Sequence, residues 1–123
     1  MTERVLITGG GAGIGAACAA RCRADGYAPV TIDRRGGDIE ADLSSPEATA
    51  AALREALADG PITRLVNNVG VVAPASVEDQ TMEELERAVS LNLRCAIQCL
   101  QALLPGMKSA SMQMPSGSSK SVE

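Results

Sequence analysis

The chain has 123 residues, with 11 Lys and Arg against 15 Asp and Glu, no His, and Tyr27 as its only aromatic side chain. That length holds one small domain. The net charge of −4 argues against a general binder of nucleic acid or of anionic membranes, and one aromatic ring cannot build a base-stacking platform. Hydrophobic residues make up 46% and charged residues 21%, a globular composition, and no apolar run approaches the ~20 residues of a membrane span. The opening Met1-Thr2-Glu3-Arg4 leads into only Val5-Leu6-Ile7, too short for a secretory leader, so a cytoplasmic address is expected.

Arg4 to Thr8 reads as a strand buried on both faces, ending at a glycine cluster. From Ile14 to Asp25 the residues favour a helix, with Gly26 placed for a left-handed C-terminal cap. Ala28 to Ile32 is a second strand that ends at Asp33, with Pro29 tolerated near its start. Asp38 to Ala41 is a third, short strand. Ser45 offers a helix N-cap with Pro46 at the first helical position and Glu47 in the first turn; the helix should run to about Ala58, with Gly60-Pro61 as its stop. A fourth strand, Arg64 to Asn67, feeds a turn at Asn68-Val69-Gly70. Thr81-Met82-Glu83-Glu84 is a capping box, after which Leu85, Val89, Leu93, Ala96, Ile97, Leu100 and Leu104 recur at helical spacing, predicting a long core-facing helix up to Pro105. Beyond it the Ser-rich segment 108–123 has no period and is expected to be a disordered tail, leaving residues 1–107 as the domain.

The four Cys form two i,i+4 pairs, Cys18/Cys22 and Cys95/Cys99. With no His to complete a ligand set, they read as small packing residues, and no metal site is expected. The segment Thr8-Gly9-Gly10-Gly11-Ala12-Gly13-Ile14-Gly15 lies between a strand and a helix. Glycines there let a backbone approach a pyrophosphate, and the free N–H groups of the first helical turn point at it. An isolated glycine cluster is also what a flexible turn looks like. Asp33 falls 18 residues beyond Gly15, near the ~20 expected of a carboxylate that accepts from the ribose hydroxyls of NAD. That charge would repel the 2′-phosphate of NADP; Arg34 and Arg35 offset part of the repulsion, so NAD is favoured over NADP. The bland reading of Asp33 is a turn residue at a strand end.

Taken together, Thr8-Gly9-x-x-x-Gly13-Ile14-Gly15, Asp42-Leu43, Asn67-Asn68-Val69-Gly70 and Asn92-Leu93 resemble the short-chain dehydrogenase/reductase family over residues 1–107. The resemblance implies an α/β fold, a Rossmann-type doubly wound parallel sheet reduced to about four strands in the order 3-2-1-4 with three helices. It implies that Asp42 accepts from the adenine amino group, that Leu43 lines the adenine pocket, that Asn67 to Gly70 pass beside the cofactor, and that Asn92 holds a water in a catalytic proton relay. Val69 stands where the family usually has Ala. Each position also has an ordinary structural reading: a helix-approach residue, a turn without ligand, a polar residue on a helix face.

The family's chemistry needs a Tyr-x-x-x-Lys pair and a serine that orients the substrate carbonyl. Tyr27 is followed four residues later by Thr31, so that pair is missing, and Asn92 is the one surviving catalytic position. Ser116 to Lys120 is a poor substitute, since an aliphatic hydroxyl is a far weaker acid than a phenol. Three readings follow. The chain is the cofactor-binding part of an NAD(P)-dependent oxidoreductase that moves hydride between nicotinamide and an alcohol or carbonyl, inactive alone and meeting a substrate only in a full-length form. Alternatively it is a non-catalytic dinucleotide-binding module that pairs with its own kind or a relative through the helix at residues 82–104. Or it is a nonfunctional truncated or frame-shifted product.

Overall fold

A computed structural model describes residues 2–72 and 75–112. The strands β1 (Arg4–Thr8), β2 (Ala28–Asp33), β3 (Ile39–Glu40) and β4 (Arg64–Val66) all run parallel in one sheet, ordered β3-β2-β1-β4. Leu6 sits between Val30 and Leu65 in register, so the apolar run of β1 is the centre of the sheet. Alternation along β1 sends its side chains to two layers. Val5 and Ile7 pack with Ala19 of α1 (Gly13–Ala24), flanked by Cys18, Cys22 and Tyr27. Leu6 joins Ile32, Leu43 and Leu53 against α2 (Pro46–Leu57) and the helix that follows β4. Burying each such aliphatic side chain contributes about 1.5–3 kcal/mol. Sequence and structure agree on this doubly wound architecture.

The local signals hold. Ser45 Oγ accepts from the Ala48 N–H at 3.2 Å with Pro46 opening α2. Gly26, at φ +92°, follows α1 as its C-terminal cap. Thr81 Oγ1 accepts from the Glu84 N–H at 3.0 Å while the Glu84 carboxylate reaches back to the Thr81 N–H.

The long helix departs from expectation in two ways. It consists of α3 (Met82–Val89), a π-helical turn (Ser90–Arg94) and α4 (Cys95–Met112) in one unbroken rod. Pro105 does not stop it, although a proline inside a helix costs about 3 kcal/mol. Cys99 and Leu103 are buried before the proline and Met107 packs on the core after it. Gly106 also lies so close to Pro61 that a Cβ there would be 3.2 Å from the proline Cβ. Tertiary packing thus carries the rod across the break. Residues 108–112, expected in a disordered tail, are helical; the rest of that segment, 113–123, lies outside the described residues.

The core stripe differs as well. Leu91, Cys95, Cys99 and Leu103 face the sheet, whereas Leu85, Val89, Leu93, Ile97, Leu100 and Leu104 are 37–56% exposed. The rod is apolar on two sides, and the slim cysteine side allows the closer approach to the sheet. Both cysteines of α4 are therefore packing residues. The neighbouring Cys99 holds the Cys95 thiol below its ordinary range, while Cys95 and burial push the Cys99 thiol up. Among the described residues no group of three or more metal-ligating side chains converges, and no helix is long and apolar enough to cross a membrane. The outer edge of β4 pairs with no strand among the described residues.

Candidate functional site

The segments that leave the C-terminal ends of the four parallel strands meet at one edge of the sheet, the place where open α/β sheets bind ligands. Thr8, fully buried at the end of β1, anchors them: its Oγ1 accepts from the backbone N–H groups of Asn68 and Val69, each at 3.1 Å. Asn68 returns the contact by donating its side-chain amide to the Gly9 carbonyl at 3.1 Å. The loops after β1 and β4 are thereby fastened to each other.

Three glycines shape the first loop for different reasons. Gly9 turns with φ +69°. Gly15 lies against the turn itself, where a Cβ would be 2.1 Å from the Gly9 carbonyl oxygen and 2.6 Å from the Asn68 amide nitrogen. Gly13, at φ +56°, meets nothing: a Cβ there would find no atom within 4 Å. It opens α1, whose N-cap, Ala12, has no side chain to cap the first-turn N–H groups and whose first turn contains no acid. The positive end of a twelve-residue helix therefore faces open space. Ile14 stands beside it, 82% exposed.

Asp33 ends β2 facing this loop. Its carboxylate accepts from the Gly11 N–H at 2.8 Å and from the Arg34 N–H at 2.6 Å, so it also holds the glycine turn in place. A cleft of about 170 Å³ opens next to it, lined by Asp33, Arg34, Asp42, Leu43, Val69 and Arg87 among others. Asp42 is exposed at its rim. Hydrogen bonds from the Ser44 hydroxyl and backbone N–H hold its carboxyl below the ordinary range, with smaller help from Arg34 and Arg87. Leu43 is buried at the cleft's base. The cradle and the cleft together suit an elongated anion with a flat apolar end.

The structure thus brings together Thr8, Gly9, Gly13, Ile14, Gly15, Asn68 and Val69 at the turn, and Asp33, Arg34, Asp42, Leu43 and Val69 at the cleft. Gly70 and Asn92 are adjacent: a Cβ on Gly70 would lie 3.0 Å from Asn92 Oδ1. Asn92 grips the next residue, accepting from the Val71 N–H at 2.8 Å and donating to the Val71 carbonyl at 2.9 Å. Asn67 is separate, lining a groove on the β4 edge with Tyr27, Leu100 and Met107. Arg87 and Leu91 were missed from the sequence as cleft residues. Their i,i+4 spacing puts them on one side of the rod, but nothing in the sequence says where that side points.

The family model for short chain dehydrogenases matches residues 37–117. The chain belongs to the short-chain dehydrogenase family. The human L-xylulose reductase is 32% identical over 118 residues, covering 85% of this chain and 47% of that protein. Among solved structures, a metagenomic short-chain oxidoreductase in complex with NADP superposes with TM-score 0.79 at 28% identity, covering 88% of this chain and 57% of its own. The 3-alpha-hydroxysteroid dehydrogenase of Pseudomonas sp. B-0831, complexed with NADH, superposes with TM-score 0.68 at 31% identity over 82% of this chain and 38% of its own. This short-chain dehydrogenase chain spans about half the length of the curated relatives it matches.

Proposed function

We propose that the chain binds a nicotinamide dinucleotide and forms the cofactor-holding part of an oxidoreductase acting on an alcohol or carbonyl. The observation that carries this reading is the uncapped N-terminus of α1, opened by left-handed Gly13 and set beside the cleft that ends at Asp42 and Leu43. In this reading the first-turn N–H groups of α1 hold the diphosphate. Asp33 accepts from the adenosine ribose, Arg34 flanks it, and Asp42, Leu43 and Val69 hold the adenine. Thr8, Gly9, Gly15 and Asn68 keep the two loops at the spacing this requires, and Gly70 and Asn92 lie toward the nicotinamide. When bound, the nicotinamide supplies the carbon that accepts or gives the hydride.

NAD is the preferred form. The Asp33 carboxylate stands where a 2′-phosphate would come, and one negative charge disfavours another there. Relatives with NADP and with NADH both occur in the family, so the preference rests on Asp33 alone, against the cations of Arg34 and Arg87.

Turnover by this chain alone is not expected. No Tyr-x-x-x-Lys occurs in the sequence, and Tyr27 stands just before β2, at the opposite end of the sheet from the cleft. Titrating NADH and NADPH into the purified chain while following cofactor fluorescence tests the proposal. Saturation by NADH at lower concentration than by NADPH is expected; no saturation by either at millimolar concentration refutes it. Reduction of carbonyl compounds by the pure chain would refute its dependence on residues outside it.

A second reading, a module that pairs with its own kind or a relative, is favoured by the exposed leucine and isoleucine side chains at 93, 97, 100 and 104. A concentration-dependent shift on a sizing column, abolished by Ile97→Glu, is its expected signature.

A further inference from the structure

The π-helical turn at Ser90–Arg94 touches both walls of the cleft. On one flank Asn92 holds both backbone groups of Val71. On the other, Ser90 Oγ donates to the Ser44 carbonyl at 2.8 Å, and Arg94 Nη2 donates to the Leu43 carbonyl at 2.7 Å. The same guanidinium donates to Ser90 Oγ at 2.7 Å and 3.2 Å, to Thr49 Oγ1 at 3.4 Å, and to the Gln98 side chain. Gln98 in turn donates to the Pro46 carbonyl at 3.0 Å. Thr49 Oγ1 donates to the Ser45 carbonyl at 2.8 Å. Four consecutive carbonyls, Leu43 to Pro46, are thus held by side-chain donors. The two walls so gripped carry Leu43 and Val71, which line the cleft together with Leu91 of the turn itself.

Every hydrogen-bond acceptor of Arg94 among the described residues is neutral. A planar guanidinium offers five donors in a fixed fork, against the three of an ammonium, and so serves more of these fixed acceptors at once. An α-helical turn of ordinary pitch would not carry an extra residue between the two flanks, and π-turns recur where a helix serves a site.

We infer that Arg94, braced by Ser90, is a positioning residue that sets the width of the adenine cleft by clasping the Leu43–Pro46 wall to the turn that holds Val71. The inference rests on the dinucleotide reading above. Arg94 touches no part of the ligand itself; it acts through the Leu43 backbone. Its loss frees the wall that closes on the adenine and leaves the diphosphate cradle at α1 intact.

The test compares the wild type with R94M, R94K and S90A, titrated separately with NADH and with ADP-ribose, alongside amide hydrogen exchange of the ligand-free proteins. In R94M both ligands should lose about tenfold in affinity, and by the same factor, because the defect lies at the adenine end they share. R94K should recover part of the loss, and S90A should lose about threefold. Exchange at the Ser44 and Ser45 amides should quicken while that of Leu6 and Ile7 in β1 stays unchanged. Where R94M fails to fold, S90A decides by the same two readouts. Unchanged affinity in a folded variant, or exchange that quickens equally in β1, overturns the inference and leaves the dinucleotide reading standing. A wild type that binds neither ligand overturns both.

Discussion

Replacing Gly15 and Gly13 by alanine separates the structural from the binding role of the glycine turn. At Gly15 alanine would ordinarily gain up to about 1 kcal/mol of helix propensity. Here its Cβ would lie 2.1 Å from the Gly9 carbonyl oxygen and 2.8 Å from the carbonyl carbon, more than an ångström inside ordinary contact with the oxygen and against backbone that the Asn68 amide holds in place. Moving backbone costs more than turning a side chain, so the overlap outweighs the propensity and G15A should lose about 2–3 kcal/mol. With an m-value of about 1.5 kcal/mol/M, its urea midpoint should fall by roughly 1.3–2 M. Gly13 meets no neighbour, and alanine there bears only the left-handed backbone at φ +56°, about 1–2 kcal/mol. Yet its methyl would project into the space in front of the α1 N-terminus. G13A should therefore stay the more stable of the two while losing at least about tenfold in NADH affinity. Wild-type NADH affinity in G13A would refute the assignment of that space to a diphosphate, and a wild-type urea midpoint in G15A would refute the steric reasoning.

Other substitutions test single contacts. T8V should destabilise the chain by about 2–4 kcal/mol in urea, because it leaves the Asn68 and Val69 N–H groups without their shared acceptor. Thr63 Oγ1 is buried without a hydrogen-bond partner among the described residues; T63V should accordingly raise stability, by about 1 kcal/mol, with an unchanged m-value. S44A should move the Asp42 carboxyl up towards the ordinary range in an NMR titration, since the Ser44 hydroxyl is the main cause of its depression. The sign for stability follows. A lowered carboxyl stabilises the fold above its unfolded value and loses that contribution as the pH falls through its folded one. Wild type should therefore lose more stability than S44A on acidification.

The sheet order and the positions of the glycine turn, Asp33, Asp42 and Asn68 could be read from the chain because each depends on a few adjacent residues with narrow physical options. Thr81 and Ser45 cap helices for the same local reason. The rod formed by α3, the π-turn and α4 was read less well. Its apolar residues fit two faces, and helical spacing follows the leucine-rich one, which is exposed on both sides of the π-turn, while the buried face of α4 carries the small Cys95 and Cys99 between Leu91 and Leu103. Pro105 is a strong local stop, overcome by the burial of Leu103 and the fit of Gly106 on Pro61, which are contacts between distant segments. Arg87, Ser90 and Arg94 carry no motif; their partners are backbone carbonyls and cleft walls that exist only after folding. Asn67 belongs by resemblance to the stretch Asn67 to Gly70 beside the cofactor, and in the fold it lines the β4 groove.

The border of β4 that pairs with no strand among the described residues is only three residues long, and its first, Arg64, is exposed, bonded to the Glu3 carboxylate at 2.6 Å and poised over the Tyr27 ring at 5.2 Å from its centroid. A short margin guarded by charge is a poor template for endless lateral stacking of chains. Lateral stacking is thereby hindered at the very place where the sheet would otherwise invite it, and the proposed pairing through the exposed leucines of the rod would join two helices without extending the sheet.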